Sequence, residues 1–183
     1  MQQEQSSLQS FGRLRLALLT LAALSLAAAA APARAAGGLL LRPAPDFALP
    51  AAGGSNVRLS EYRGQPVVLS FWSSRCGRCA AQLAALDRYY ATYHSSGLVV
   101  FGVSVEDDPQ RALDYAHAHQ ASFPLLLDDT KGVSRAFDIA MLPTTVLIDR
   151  SGVVRYLHSD DRPDDPSYVA QIRALLDDRL APP

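Results

Sequence analysis

Two cysteines separated by two residues follow closely after an apolar run, and this arrangement restricts the fold more than any other feature of the sequence. The run is Val67 to Trp72, and its continuous hydrophobicity predicts a strand covered on both faces. Cys76-Gly77-Arg78-Cys79 follows, and apolar residues then recur at spacings of three and four up to Tyr93. That spacing predicts a helix with one apolar stripe. A strand, a short turn and a helix therefore place both thiols near one helix end.

We expect this helix to begin at Gly77 and to turn Leu83, Leu86, Tyr90 and Tyr93 toward the core. Cys76 would then lie at the helix N-terminus, where free N–H groups and the positive end of the helix dipole stabilise a thiolate. Cysteines in this setting have pKa values from about 3.5 to about 7.5.

The predicted chemistry of the pair is thiol–disulfide exchange. The Cys76 thiolate attacks a substrate disulfide, a mixed disulfide forms, and Cys79 resolves it. Arg75 and Arg78 flank the nucleophile and should also favour its thiolate form.

Two other interpretations of the pair stay open at this stage. The pair could be half of a zinc site, but the remaining ligands would have to come from four histidines, of which His117 and His119 point in nearly opposite directions on a helix. It could also be an inert structural disulfide, although such bonds usually close longer loops because a two-residue loop constrains the unfolded chain little. Two cysteines exclude a four-thiolate zinc site and a disulfide-rich scaffold.

Residues 1–35 have the pattern of a secretory signal peptide. Arg13 and Arg15 precede the apolar run Leu16 to Ala31, and Ala33-Arg34-Ala35 is a cleavage-type sequence. The alternative is an uncleaved membrane anchor, although the run is shorter than the ~20 residues of a usual span. No cysteine lies near Ala35, which excludes a lipid-anchored lipoprotein. Either interpretation predicts a folded part that faces outside the cytoplasm, where disulfides persist.

The rest of the chain alternates between strand and helix patterns, which predicts a single α/β domain over residues 45–183 after an extended lead-in at 36–44. Asp-Pro pairs at 108–109 and 165–166 predict helix starts. The net charge of −1 argues against a protein that binds nucleic acid through a basic patch. The expected elements are strands at Phe47–Leu49, Val57–Leu59, Leu98–Val105, Phe123–Leu127, Thr144–Ile148 and Val153–Leu157, a helical turn at Ser60, and helices from Pro109 to about Gln120, from Asp129 or Thr130 to about Phe137, and at Tyr168–Leu180.

Trp72 and the two cysteines, followed much later by Leu142-Pro143-Thr144-Thr145, resemble the thioredoxin fold. Within that fold, the chain resembles the TlpA/ResA-type periplasmic thiol–disulfide oxidoreductases, which are related to the AhpC/TSA proteins. The resemblance extends over about residues 45–180. It implies a central mixed β-sheet flanked by helices, with an N-terminal β-hairpin and an inserted helix and strand between the active-site helix and the cis-proline strand.

The same resemblance implies the site. Pro143 would be a cis-proline that faces the cysteines and leaves the backbone of Leu142 free to pair with a substrate strand. No metal and no cofactor beyond the redox-active disulfide are implied. The residues implied are Cys76 and Cys79 for catalysis, with Trp72, Arg75, Gly77, Arg78, Leu142, Pro143 and Thr144 for support and substrate binding.

Four positions depart from the family pattern. Arg75 replaces a Trp or similar residue before the first cysteine, and Arg78 replaces the usual proline between the cysteines. Ser70 stands where thioredoxins carry a buried Asp, and Gln82 stands where related enzymes often carry a Glu. A buried acid is thought to help deprotonate the second thiol, so water or another group must do so here.

The resemblance implies an exported reductant of protein disulfides, recharged by a membrane thiol electron carrier, in cytochrome c maturation or in the rescue of other cysteines. One alternative is a peroxiredoxin-like peroxidase with antioxidant activity. Ser73 fits that pocket motif, but Leu69 stands where the motif needs proline. The other alternative is a Sco-like copper-binding thiol chaperone, whose cysteines are one residue further apart.

Overall fold

The computed structural model describes residues 38–159, 162 and 165–177, so the predicted signal peptide lies outside the described residues. Strands and helices alternate along most of this part of the chain. In chain order the elements are β1 (Ala48–Pro50), β2 (Asn56–Arg58), a 3-10 turn (Leu59–Tyr62), β3 (Val67–Trp72), α1 (Cys79–Tyr93), a second 3-10 turn (His94–Ser96), β4 (Val99–Ser104), α2 (Pro109–Ala118), β5 (Leu125–Leu127), α3 (Gly132–Ala136), β6 (Thr144–Ile148), β7 (Val154–His158) and α4 (Pro166–Leu176).

The central sheet is mixed and has the strand order β5-β4-β3-β6-β7. β3 runs parallel to β4, and β4 runs parallel to β5, whereas β6 is antiparallel to both β3 and β7. All six residues of β3 are buried, which confirms the strand predicted from the continuous apolar run. The central strand β3 is therefore buried along its whole length, and the turn that follows it places the cysteines beyond its carboxyl end.

Side chains of β3 alternate between two hydrophobic clusters, one on each face of the sheet. Leu69 and Phe71 belong to the cluster that the β1–β2 hairpin and α3 cover. Val68 and Trp72 belong to the cluster that α1 and α4 cover. This two-layered burial confirms the α/β architecture expected from the sequence.

The N-terminal segment is more ordered than an extended lead-in. The Leu41 N–H donates to the Val154 carbonyl at 2.7 Å, and the Ala44 N–H donates to the Gly152 carbonyl at 2.9 Å. β1 and β2 pair as the predicted hairpin, and Ala51 forms an antiparallel bridge to Leu126 of β5.

Both Asp-Pro helix starts are confirmed. The Asp108 side chain accepts from the Gln110 N–H at the start of α2, and the Asp165 side chain accepts from the Ser167 N–H at the start of α4. α4 ends at Leu176 rather than at the predicted Leu180, and residues 178–183 lie outside the described residues.

Three predicted boundaries are wrong for identifiable reasons. α1 begins at Cys79 rather than Gly77, because the preceding residues form a turn in which the Cys79 N–H donates to the Cys76 carbonyl at 3.1 Å. β5 begins at Leu125 rather than Phe123, since Pro124 has no N–H to donate to a strand ladder. α3 begins at Gly132 because the buried Asp128 accepts from the N–H groups of Val133 and Ser134 and so fixes the helix start.

The tyrosines of α1 also differ from the prediction. Tyr89 is the buried one, and its ring stacks on Tyr168 of α4 with ring centres 6.1 Å apart. Tyr90 and Tyr93 are only half-buried at the border of the core. Leu83 and Leu86 face the core as predicted, together with Cys79 at the start of the helix.

Candidate redox site

Cys76 and Cys79 form a disulfide with their Cα atoms 5.3 Å apart. Cys79, the first residue of α1, has no exposed surface, whereas Cys76 is partly exposed in the turn before the helix. Cys76 is therefore the accessible member of the pair in this structure, and Cys79 is closed off from the surface.

Cys76 lies in the turn that leads into the N-terminus of α1. α1 has fifteen residues, no acidic residue in its first turn and no side-chain cap at its N-terminus. The positive end of its dipole is thus not offset by a nearby carboxylate of the helix itself. Arg75, Gly77 and Arg78 are exposed around the cysteine, so two cationic side chains border the face from which a substrate approaches.

The loop before β6 forms the other wall of the site. Thr144 pairs with Phe71 in the antiparallel β3–β6 ladder, which places Pro143 beside the end of β3. The Leu142–Pro143 peptide bond is cis, as the family resemblance implies. Pro143 is buried, Leu142 is half-buried, and the Thr144 hydroxyl donates to the Met141 carbonyl at 2.8 Å. Met141 itself is 52% exposed, so the loop presents an apolar side chain at the surface.

Glu106 holds the active-site turn from below, and sequence reasoning missed it. Its carboxylate is only 4% exposed, and a single oxygen, Oε1, accepts from the Ser74 N–H at 2.6 Å, the Ser74 hydroxyl at 2.6 Å and the Ser73 hydroxyl at 2.9 Å. Burial alone would raise the pKa of Glu106, but these hydrogen bonds and the charge of Arg75 outweigh it and hold the pKa below its usual value. The sequence held one signal for Glu106, namely its position just after β4. Because β3 and β4 are parallel neighbours, the residues that follow the two strands lie at the same end of the sheet.

Known proteins match this arrangement of fold and site. The AhpC/TSA family model matches residues 40–157, most of the chain. The chain belongs to the AhpC/TSA family.

Individual family relatives narrow the similarity. The chain is 33% identical to thiol-disulfide oxidoreductase ResA of Geobacillus kaustophilus over 62% of its own length and 66% of that protein's. The match to ResA of Bacillus subtilis is 31% over 61% and 62%. The matches thus span slightly less than two thirds of these curated relatives.

A solved structure covers more of its counterpart. A Chlorobium tepidum protein, provisionally assigned as thiol:disulfide interchange protein DsbE, superposes with a TM-score of 0.69 at 34% identity, covering 73% of this chain and 95% of the other. The thioredoxin-like fold expected from the sequence is therefore confirmed.

In this AhpC/TSA-family chain, Trp72 lies inside the protein. It has no exposed surface, and its ring stacks on Tyr115 of α2 with centres 5.7 Å apart and planes 23° apart. A Cβ added to Gly102 of β4 would lie 3.1 Å from the Trp72 Nε1 atom, so β4 approaches the indole closely. The indole therefore offers no surface to a binding partner in this structure.

The two positions that lack the family's acids form a neutral buried network. The hydroxyls of Ser70 and Thr145 lie 3.0 Å apart, and the Gln82 side-chain N–H donates to the Thr145 hydroxyl at 2.8 Å. All three residues are at most 1% exposed. The Gln82 Oε1 atom has no hydrogen-bond partner among the described residues. Gln82 follows Cys79 by three residues on the same helix, so a neutral amide lies one turn from the second thiol.

The described residues contain no group of three or more His, Cys, Asp or Glu side chains arranged to hold a metal ion. His119 instead packs its ring 4.2 Å from that of Tyr115.

An apolar groove of about 200 Å³ lies at the opposite end of β4 from the cysteines, lined by Tyr62, Tyr90 and Pro124 among others.

Within the part of the chain that the structure describes, none of the helices has the length and apolar character needed to span a bilayer.

Proposed function

We propose that this protein is a thiol–disulfide oxidoreductase that reduces disulfides of exported proteins through Cys76 and Cys79. The observation that carries the proposal is the pairing of an accessible Cys76 with a fully buried Cys79 at the start of α1. Support also comes from the similarity to proteins named thiol-disulfide oxidoreductases and from the cis-proline loop beside the pair.

The reaction follows from these positions. In the reduced protein, the Cys76 thiolate attacks one sulfur of a substrate disulfide, the substrate S–S bond breaks, and the other substrate sulfur leaves as a thiolate. Cys79 then loses its proton and attacks the Cys76 sulfur. The mixed disulfide breaks, and the substrate leaves with its second thiolate. Two electrons pass from the cysteine pair to the substrate, and the pair becomes the disulfide present in this structure.

The surrounding residues have proposed roles in this cycle. The Leu142 backbone would pair with an extended substrate segment, with Pro143 and Thr144 fixing the loop that presents it. Arg75 and Arg78 would favour the thiolate of Cys76. Gly77 is exposed, and a Cβ built on it meets nothing within 4 Å, so its turn can lie against a substrate backbone.

The partners follow from the count of two cysteines. The described chain offers no third thiol to relay electrons, so a separate thiol carrier must return the pair to its reduced state. We propose a membrane electron carrier for this step and a location outside the cytoplasm, periplasmic or tethered to the membrane, on the basis of the N-terminal export pattern. The protein would need no cofactor beyond its redox disulfide. Cytochrome c maturation is one process that requires such a reductant.

An assay for reduction of a protein disulfide tests this proposal. Purified protein with dithiothreitol should accelerate insulin reduction well above dithiothreitol alone, and Cys76→Ser should abolish the acceleration. A reduced protein that instead consumes hydrogen peroxide rapidly would contradict the proposal. The Ser73 hydroxyl, which a peroxidatic pocket would direct at peroxide, donates to Glu106 here.

A further inference from the structure

Glu106 is a buried charge that the exchange cycle described above does not use. Glu106 lies two residues beyond the end of β4, and its backbone N–H donates to the Ser104 hydroxyl at 3.2 Å. This bond fixes the first residues of the segment that follows β4. The Val105 N–H donates to the Trp72 carbonyl at 3.0 Å and ties the end of β4 to the end of β3. These bonds place the carboxylate of Glu106 against the turn that precedes Cys76.

A short series of hydrogen bonds connects this carboxylate to Cys76. The Ser73 hydroxyl donates to Glu106 and accepts from the Arg75 N–H at 3.2 Å. The Ser73 carbonyl accepts from the Cys76 N–H at 3.1 Å. Ser73 and Ser74 together direct three donors at one carboxylate oxygen of Glu106.

Hydrogen bonds to an ionised acceptor are about twice as strong as bonds between neutral groups. Three such bonds meet at one oxygen of Glu106 and bear on a turn of only three residues. We propose that Glu106 is a positioning residue for thiol–disulfide exchange, which holds the Ser73–Arg75 turn so that the Cys76 sulfur is presented to the substrate. This inference rests on the proposed exchange function and names the residue that prepares the nucleophile.

The charge of Glu106 has a second consequence. Arg75 lies close enough to Glu106 and to Asp107 to lower the pKa of both carboxyls, so part of its positive charge is offset before it acts on Cys76. Among the described residues, Lys131 pairs with Asp107, and Arg111 of α2 also lowers the pKa of Asp107. Arg78 is exposed beside the cysteines. Removing the charge of Glu106 should therefore leave Arg75 freer to stabilise the thiolate.

Two variants separate position from charge. Glu106→Gln keeps an oxygen acceptor at the same reach but loses the charge, whereas Glu106→Ala loses both. Asp107→Asn is the matched control, because it removes a neighbouring carboxylate that is exposed and bound to Lys131 rather than to the turn. The rate of reaction of each reduced protein with a small aromatic disulfide is measured from pH 4 to 9, and thermal unfolding checks the fold.

The pH profile yields two quantities, namely the plateau rate of the thiolate and the midpoint that gives the pKa of Cys76. We expect Glu106→Ala to lower the plateau by about tenfold or more, since a misplacement of about 1 Å can cost up to about a hundredfold. We expect Glu106→Gln to keep the plateau within about twofold, because the acceptor remains, and to move the midpoint to lower pH. Asp107→Asn should change the plateau by less than about twofold and the midpoint by less than Glu106→Gln does.

A folded Glu106→Ala protein with the wild-type plateau would overturn the proposal. If that variant does not fold, Glu106→Asp decides, because its side chain is one methylene shorter and withdraws the acceptor oxygen from the turn: a wild-type plateau in that variant also overturns the proposal. Failure of the exchange function itself is distinguishable, because the wild-type protein would then react no faster than a free thiol at every pH.

Discussion

At the scale of single residues, the site depends on which buried polar atoms are charged. Glu106 is a buried carboxylate that binds the turn before Cys76, whereas the cluster beside Cys79 is neutral. In the sequence, Glu106 is the first of three consecutive acidic residues, a pattern typical of a solvated loop. In the structure, Glu106 is buried where the segments after β3 and β4 meet. Ser70 and Gln82 were recognised as substitutions of expected acids. Their shared contact with Thr145 could not be predicted, because Gln82 lies 63 positions and Ser70 lies 75 positions from Thr145 in the sequence.

Replacing Gln82 with Glu should accelerate the second half of the exchange cycle. A carboxylate one turn from Cys79 could take its proton, and general bases contribute about a hundredfold or more to such steps. We expect release of substrate from the mixed disulfide to accelerate at least about tenfold, with a lower melting temperature because a carboxyl is buried without a charged partner. Gln82→Met is the control of similar size that cannot accept a proton. Equal release rates for the Glu and Met variants, measured by stopped-flow fluorescence of Trp72, would contradict this expectation.

Glu106 should also contribute to the acid sensitivity of the protein. Its pKa is lower in the folded state than in the unfolded chain, so its ionised form stabilises the fold above the unfolded value of about 4.3. That contribution is lost as the pH falls through the lowered folded value. The difference in free energy of unfolding between wild type and Glu106→Gln should thus shrink on acidification from pH 6. Urea titrations at successive pH values measure it, and a difference that grows as the pH falls would show that the sign is wrong.

At the scale of secondary structure, the site is a product of where two strands end. β3 and β4 finish side by side, and the turn after β3 and the segment after β4 then meet. Apolar runs and Asp-Pro pairs predict these elements well, because burial on both faces and helix capping are local requirements. The starts of α1 and α3 could not be predicted. A turn in which the Cys76 carbonyl accepts a hydrogen bond decides the start of α1, and the Asp128 carboxylate, six residues before Ser134, decides the start of α3.

Substituting Gly102 of β4 with Ala should disturb the packing that supports the site. The added Cβ would lie 2.7 Å from the Phe123 ring and 3.1 Å from the Trp72 indole nitrogen. We expect a loss of about 1–3 kcal/mol in the free energy of unfolding, together with a shifted Trp72 emission maximum. Gly53→Ala is the control, because nothing lies within 4 Å of its added Cβ. The prediction fails if urea unfolding gives the two variants equal stability.

At the scale of the whole molecule, two cysteines form a two-electron couple whose potential the surrounding charges set. We expect the helix end and Arg78 to favour the thiolate, and Glu106 to offset part of the charge of Arg75. We expect a reduction potential between the thioredoxin value of about −270 mV and the DsbA value of about −120 mV. Arg78→Ala should move the potential toward the thioredoxin value. Equilibration with glutathione, followed by fluorescence of the single tryptophan, measures it, and a wild-type value at or below about −270 mV would refute the charge argument.

The most direct test of the account is capture of the exchange intermediate. If Cys76 attacks and Cys79 resolves, as proposed, Cys79→Ser should accumulate a mixed disulfide with its natural partner when expressed in the native host. Mass spectrometry after non-reducing purification should find the partner linked to Cys76, and the matched Cys76→Ser variant should capture nothing. Equal capture by the two variants, or capture by Cys76→Ser through the buried Cys79, would contradict the assignment of Cys76 as the nucleophile.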